Sequence, residues 1–208
     1  MEKAYKNISY LFVAVLLMAF VGFSKTYFGL FPSFQGVTSL IHFHVLMALL
    51  WLAMLIIQPI LIRQKKLNTH RLLGKISYGL VPLIILSMVL LMRTSLTKPN
   101  AILIGISDMI FFVVFYLLAI IYKHKLSYHI RFMVMTVLPF INPSLGRLML
   151  PGPILGLIII AGLLIYERFH AKIYKPYVIA LVSYLAVYII FIFIVDIRMW
   201  NAFWGMIF

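Results

Sequence analysis

The chain has 208 residues, of which 65% are hydrophobic and only 11% are charged, and its formal net charge is +14. Soluble domains are nearer half apolar and one quarter charged, and a soluble fold of this size could not bury so much apolar surface, so the expected solvent is lipid. The absence of cysteine excludes disulfides, thiolate metal sites and a thiol nucleophile.

The apolar residues fall into seven segments, each near the length of about 20 residues that a membrane-spanning helix needs. The segments are 8–24, 39–62, 72–92, 101–122, 130–149, 153–169 and 176–197. They predict an all-α fold, a polytopic transmembrane helix bundle of about seven spans that forms one domain over residues 1–208. The first segment is interpreted as a retained helix, because its flank MEKAYKN is only mildly basic and no clear cleavage site follows.

The basic residues lie in short loops between the apolar segments, so no nucleic-acid partner is predicted. With seven spans, 13 of the 18 basic residues fall on the side of the N-terminus and 5 on the other side. The positive-inside rule then predicts a cytoplasmic N-terminus and an external C-terminus. Trp200 and Trp204 follow the last segment and are predicted to anchor it at the outer interface.

Polar side chains within the segments are costly in lipid, and ionisable ones indicate function by default. The predicted outer half contains His42, His44, Asp108, Asn142, Arg147, Asp196 and Arg198. Asp108 is the one carboxylate well inside a segment, and Arg147, Arg93 or a histidine is its expected partner. A buried pair that only orders the bundle explains the same pattern.

A second polar set lies at the predicted cytoplasmic rim. It contains Gln58, Arg63, His70, Arg71, Lys75, His124, His129, Arg131 and His170. Cationic side chains at helix ends commonly extend to the interface, and His124 and His170, each flanked by basic residues, are interpreted as loop residues. The sixth segment ends with Glu167-Arg168-Phe169 and, with the first, is one of the two shortest.

His70 and His129 each begin a segment on the same predicted side, in THRLLGK and YHIRFMV. Two histidines from different helices are the usual way to hold a haem iron in a helical membrane protein. Both are therefore predicted as metal ligands, with haem b as the leading cofactor candidate. Gln58 or Arg63 is a candidate to hold a haem propionate or a quinone headgroup.

The length of the second segment limits how many haems can be bound. His44 and Arg63 are 19 residues apart, which is about 28 Å of helix, so His44 and His70 cannot ligate one metal. His42 and His44 are separated by about 200° of helical rotation and cannot face one iron. An outer haem would need a methionine ligand from Met47, Met92 or Met149. One inner haem is therefore favoured, with His44 and Asp108 forming an outer polar site.

The polar positions of the second and third segments resemble the DUF2306 domain proteins, a bacterial family of polytopic membrane proteins. The positions that carry this resemblance are His44, Gln58, Arg63, His70, Gly74 and Lys75, and the family's second motif resembles His129, Arg131 and Met133, with Arg147 further along. Phe132 supplies the aromatic residue expected before the methionine, whereas Met135 and Thr136 stand where an arginine is expected. The resemblance covers about residues 40–150.

The resemblance implies a multi-pass protein of the bacterial inner membrane and adds weight to the histidines. The family has no agreed activity, so no substrate is implied. A looser similarity is to four-histidine membrane proteins tied to haem and terminal-oxidase assembly, and this is an analogy only.

The sequence leaves three functions open. The first is a histidine-ligated haem or metal protein for electron transfer. The second is a non-catalytic subunit or assembly factor of a larger membrane complex, with membrane-protein partners or a second copy of the chain. The third is a small transporter, because the prolines around 142–144 suit a discontinuous helix, although no internal repeat is visible.

Three other functions are excluded by missing residues. No lysine follows Lys175, so the last segment cannot hold a retinal Schiff base. No glycine-rich phosphate loop is present, and no glutamate base follows the H-x-H at 42–44, as a zinc hydrolase would need.

Overall fold

The structure is a computed structural model that describes residues 5–94, 99–150, 152–170, 172 and 174–190. Within these ranges the chain is all α-helical and contains no β-strand, as the sequence predicts. Some predicted features lie outside the described residues: Asp196, Arg198, Trp200, Trp204 and the end of the seventh apolar segment.

The helices follow the apolar segments closely along the chain. They are α1 (Ile8–Gly22), α2 (Ser39–Arg63), α3 (Leu67–Thr94), α4 (Pro99–Ile121), α5 (Leu126–Met135), α6 (Leu138–Arg147), α7 (Gly152–His170) and α8 (Lys175–Ile189), with a short 3-10 turn at Phe28–Leu30. Among the described residues, three helices are long and apolar enough to cross a membrane: Ser39–Arg63, Leu67–Thr94 and Ile102–Ile121. Shorter apolar helices cover Ile8–Gly22 and Lys175–Val187.

The predicted segment 130–149 is divided between α5 and α6 rather than forming one helix. Pro139 has no N–H to donate to the carbonyl of Met135, so the helical hydrogen-bond pattern is interrupted there. The hydroxyl of Thr136 instead donates to the carbonyl of Met133 at 2.7 Å. Each of the two helices has 10 residues, about 15 Å of helix, whereas the hydrocarbon core of a bilayer is about 30 Å thick.

The chain divides into two compact units. The first unit comprises residues 1–88 and 137–153, and in it α1 packs against both α2 and α6. Trp51, Leu52 and Leu55 of α2 are buried, and the hydroxyl of Ser9 on α1 donates to the carbonyl of Ile56 at 3.2 Å. α2 is therefore the central apolar element of this unit.

The second unit comprises residues 89–136 and 154–208, and in it α5 packs against α4 and α8. Its buried side chains are largely aromatic, including Phe112, Phe115 and Phe132. The rings of Phe111 and Tyr184 are stacked, with their centroids 5.1 Å apart. Aromatic packing of this kind holds α8 to α4.

Candidate functional site

His129 lies in the first turn of α5 and has one ring nitrogen fixed by the protein. Its Nδ1 is 2.8 Å from the carbonyl oxygen of Ala119, near the end of α4. A carbonyl oxygen can only accept, so Nδ1 carries the proton and donates it. The lone pair of the neutral ring is then on Nε2. Histidines that bind metals are held in this way, with the second nitrogen bonded to a carbonyl or carboxylate.

His44 on α2 has the same tautomer for a different reason. Its Nδ1 is 2.8 Å from the hydroxyl oxygen of Ser87 on α3. That hydroxyl has a single proton, which it donates to the carbonyl of Ile84 at 2.7 Å. The Nδ1–H of His44 must therefore donate to the serine, and its Nε2 carries the lone pair. Two of the predicted histidines thus present an unprotonated Nε2.

His42 lies among aromatic rings, apart from the hydrogen bonds of His44. Its Nδ1 is 2.8 Å from the phenol oxygen of Tyr27, and the ring of Phe34 packs edge-on against it with centroids 4.8 Å apart. Through Tyr27 and Phe34, the connection formed by residues 23–38 therefore packs against the start of α2. As the sequence geometry predicts, His42 and His44 have separate surroundings.

Gln58 and His70 meet in the first unit, although not through the imidazole. The amide Nε2 of Gln58 donates to the backbone carbonyl of His70 at 3.2 Å, and joins the end of α2 to the first turn of α3. One of the N–H groups predicted to hold a propionate or a quinone is therefore used within the protein. The side chain of Arg63 is exposed, so it remains accessible to a partner.

The fully buried charges of the second unit were not predicted as a site. Arg131 on α5 and Glu167 on α7 form an ion pair, and both side chains have no exposed surface. The other oxygen of Glu167 accepts from the backbone N–H of Tyr174 at 3.2 Å, and the guanidinium of Arg131 lies 4.1 Å from the centroid of the Tyr174 ring. Arg131 also donates to the carbonyl of Ser127 at 2.6 Å.

The amino-acid composition contains a signal for this pair. Only four of the 208 residues are Asp or Glu. A carboxylate at the end of an apolar helix in so basic a chain is expected to have a cationic partner, because an unpaired buried charge is very costly. From the sequence alone, Glu167 is interpreted as the end of an apolar segment, and Arg131 as a rim cation and as part of the motif that resembles the DUF2306 family.

The remaining predicted residues are divided between the two units. Asp108 on α4 is buried in the second unit, whereas Asn142 and Arg147 on α6 belong to the first. Arg147 is held by its own neighbours: its guanidinium lies 3.9 Å from the ring centroid of Phe23 and donates to the carbonyl of Pro143 at 3.1 Å. The pairing of Asp108 with Arg147 therefore stays a prediction.

The predicted metal ligands are also divided, with His70 in the first unit and His129 in the second, so their approach to a common iron stays a prediction. Across the described ranges, no group of three or more His, Asp or Glu side chains is placed to hold a metal ion. The residues brought together within a unit are Gln58 with His70, and Arg131 with Glu167.

Comparison with known proteins adds no relative: no family model, curated protein or solved structure matches the chain. The resemblance to the DUF2306 family is thus a prediction from the motif residues alone.

Proposed function

We propose that the chain is a multi-pass protein of the bacterial inner membrane that binds haem through histidine and transfers electrons. Membrane insertion is supported by the three helices that are long and apolar enough to cross a bilayer. The predicted arrangement of seven spans, with the N-terminus in the cytoplasm, belongs to this proposal.

The observation that carries the haem proposal is the hydrogen bond from His129 Nδ1 to the carbonyl of Ala119. It leaves Nε2 as the basic nitrogen and prevents the ring from rotating freely, and both properties suit an axial ligand. His44, near the start of α2, also has its Nδ1–H bonded within the protein, to Ser87, and so presents a basic Nε2 as well.

The donor set fits haem better than a bare metal ion. A protein site for zinc or a similar ion needs three or four side-chain ligands, and the described residues contain no such group. A haem brings four nitrogen ligands of its own, so the protein supplies only one or two. Haem iron would provide one-electron transfer, and the chain would hold and orient it through His129. His70 stays the predicted second ligand.

The proposal is tested by an absorption spectrum of the protein, purified in mild detergent from cells supplied with haem precursor. Oxidised protein should show a Soret band, and dithionite should produce sharp α and β bands typical of a six-coordinate b-type haem. A featureless visible spectrum from folded, haem-supplied protein would contradict the proposal. The substitution His70→Ala tests the second ligand in the same experiment.

A small transporter is the second candidate, favoured by the break between α5 and α6. Discontinuous helices with buried charges close by are common at the substrate and ion sites of transporters, and Arg131 lies on α5 four residues before its end. Protein reconstituted in vesicles that carry a pH-sensitive dye tests this candidate. Proton uptake that is lost in Glu167→Gln would favour transport, and vesicles as tight as protein-free ones would count against it.

A further inference from the structure

The first unit is unusual in its balance of charge. Residues 5–88 and 137–153 contain eight lysines and arginines and no aspartate or glutamate. The second unit differs, because it contains Asp108 and Glu167, and the latter neutralises Arg131. The described cations of the first unit therefore have no carboxylate among the described residues of that unit, and Glu2, the acidic residue of its sequence, lies outside them.

Five of these cations are concentrated at one place, where α2 ends and α3 begins. We name this the α2–α3 basic surface, and it consists of Arg63, Lys65, Lys66, Arg71 and Lys75. All five side chains are exposed. Arg71 and Lys75 are four residues apart on α3 and so lie on one helical face, where two like charges repel each other unless an anion lies between them.

Apolar side chains are interleaved with these cations. Leu67, Leu72 and Ile76 on the first three turns of α3 are about half exposed, at 48%, 60% and 51%. A surface that alternates exposed aliphatic groups with cations is suited to contact with a molecule that has acyl chains below an anionic headgroup. It is less suited to a nucleic acid or an acidic protein, which would leave the aliphatic groups in water.

The position of the basic surface between two helices indicates its depth in the membrane. α2 and α3 are both long and apolar enough to cross a membrane, and the basic surface lies where one ends and the other begins. This is the level at which the hydrocarbon region gives way to phosphates. We propose that the α2–α3 basic surface is a binding site for anionic phospholipid, with the phosphodiester held by Arg63, Lys65, Lys66, Arg71 and Lys75.

A second basic connection in the chain offers a matched comparison. Residues 122–125 join α4 to α5 and include Lys123 and Lys125. The ammonium of Lys125 is already placed over two aromatic rings, 5.7 Å from the centroid of Tyr122 and 5.9 Å from that of Tyr128. Its nearby arginine, Arg131, is paired with Glu167. The connection 122–125 has two lysines, as the connection 64–66 does, but its cations are less available to a lipid anion.

The test uses the full chain and exploits its lack of cysteine. Asn68, which is exposed beside the basic surface, is changed to cysteine and labelled with bimane. The protein is reconstituted in phosphatidylcholine vesicles in which part of the lipid is brominated, either phosphatidylglycerol or phosphatidylcholine. Brominated phosphatidylglycerol should quench the label more strongly than brominated phosphatidylcholine. Its association constant should be ~3 times that of phosphatidylcholine or more, since each nearby cation contributes to anionic-lipid binding.

The ratio of the association constants for phosphatidylglycerol and phosphatidylcholine should fall towards ~1 in Lys65→Gln/Lys66→Gln. It should stay unchanged in Lys123→Gln/Lys125→Gln. Molar salt should also reduce this ratio in the labelled protein without any lysine substitution, because the screening length falls to ~3 Å in 1 M salt. Equal quenching by the two lipids, or equal loss in both double variants, would overturn the proposal. Loss of the preference in millimolar inorganic phosphate would also overturn it and assign the surface to soluble anions.

The inference rests on the membrane insertion proposed above and is independent of haem. Quenching of the label by neither lipid would overturn membrane insertion and the lipid site together. Quenching by both lipids to the same extent would overturn the lipid site alone.

Discussion

At the scale of single residues, the best-defined feature is the buried pair of Arg131 and Glu167. Each charge has lost its contact with water, and each is compensated by the other and by Tyr174 or Ser127. Removing one partner leaves the other charge buried without this ion pair, whereas removing both leaves no charge of the pair buried. The pair also joins α5, α7 and the start of α8, so its loss should affect the whole second unit.

We therefore predict that Glu167→Gln lowers the free energy of unfolding by about 3–5 kcal/mol. The double substitution Arg131→Met/Glu167→Leu should recover much of this loss, because no charge remains buried. Thermal unfolding in detergent, followed by circular dichroism, measures both. Arg168→Gln is the control, since that neighbouring side chain is exposed and its loss should cost no more than about 0.5 kcal/mol. A single variant as stable as the control would contradict the role assigned to the pair.

At the scale of helices, the first unit depends on a close approach between α1 and α6. A Cβ atom added at Gly22 would lie 2.7 Å from the carbonyl oxygen of Ser144 and 2.8 Å from its Cα. Both atoms belong to the backbone, which cannot rotate away as a side chain can. Small residues commonly allow such contacts between helices in membranes.

Gly22→Ala should therefore destabilise the protein by about 1–3 kcal/mol through overpacking. Gly79→Ala provides the comparison, because a Cβ at that position on α3 meets nothing within 4 Å. Alanine is the better helix former, so this variant should be neutral or more stable by up to about 1 kcal/mol. The melting temperature of each variant, compared with that of the unsubstituted protein, measures these effects. An unchanged melting temperature in Gly22→Ala would show that α1 and α6 do not approach so closely.

The helices also show which features follow from sequence and which do not. α2 spans Ser39–Arg63 where 39–62 was predicted, because length and continuous apolarity suffice to define such a helix. The division of segment 130–149 was only suggested by Pro139 and Pro143, since a proline can bend a helix or end it. Arg131 and Glu167 are 36 residues apart. Their pairing depends on how α5 and α7 are rotated and packed, and no local pattern records that.

At the scale of the whole molecule, the distribution of charge predicts how the chain crosses the membrane. The connection at 64–66 should face the cytoplasm, together with that at 122–125, whereas the connection at 23–38 should face outward. In the cysteine-free chain, single cysteines at Lys65, Lys123 and Lys25 can report these positions. A membrane-impermeant maleimide added to intact cells should label only Lys25→Cys, and the other two should react after the membrane is opened. Labelling of Lys65→Cys and Lys123→Cys on opposite sides would contradict the predicted spans.

We propose above that His129, with its tautomer set by the carbonyl of Ala119, is an axial ligand of haem, and a comparison of two variants tests this role. The measurement is the dithionite-reduced minus oxidised absorption spectrum of His129→Ala beside that of His124→Ala, an exposed histidine on the preceding connection. We expect the α and β bands of the unsubstituted protein to disappear or become broad in His129→Ala and to stay unchanged in His124→Ala. Bands that survive unchanged in His129→Ala, or that disappear equally in both variants, would contradict it.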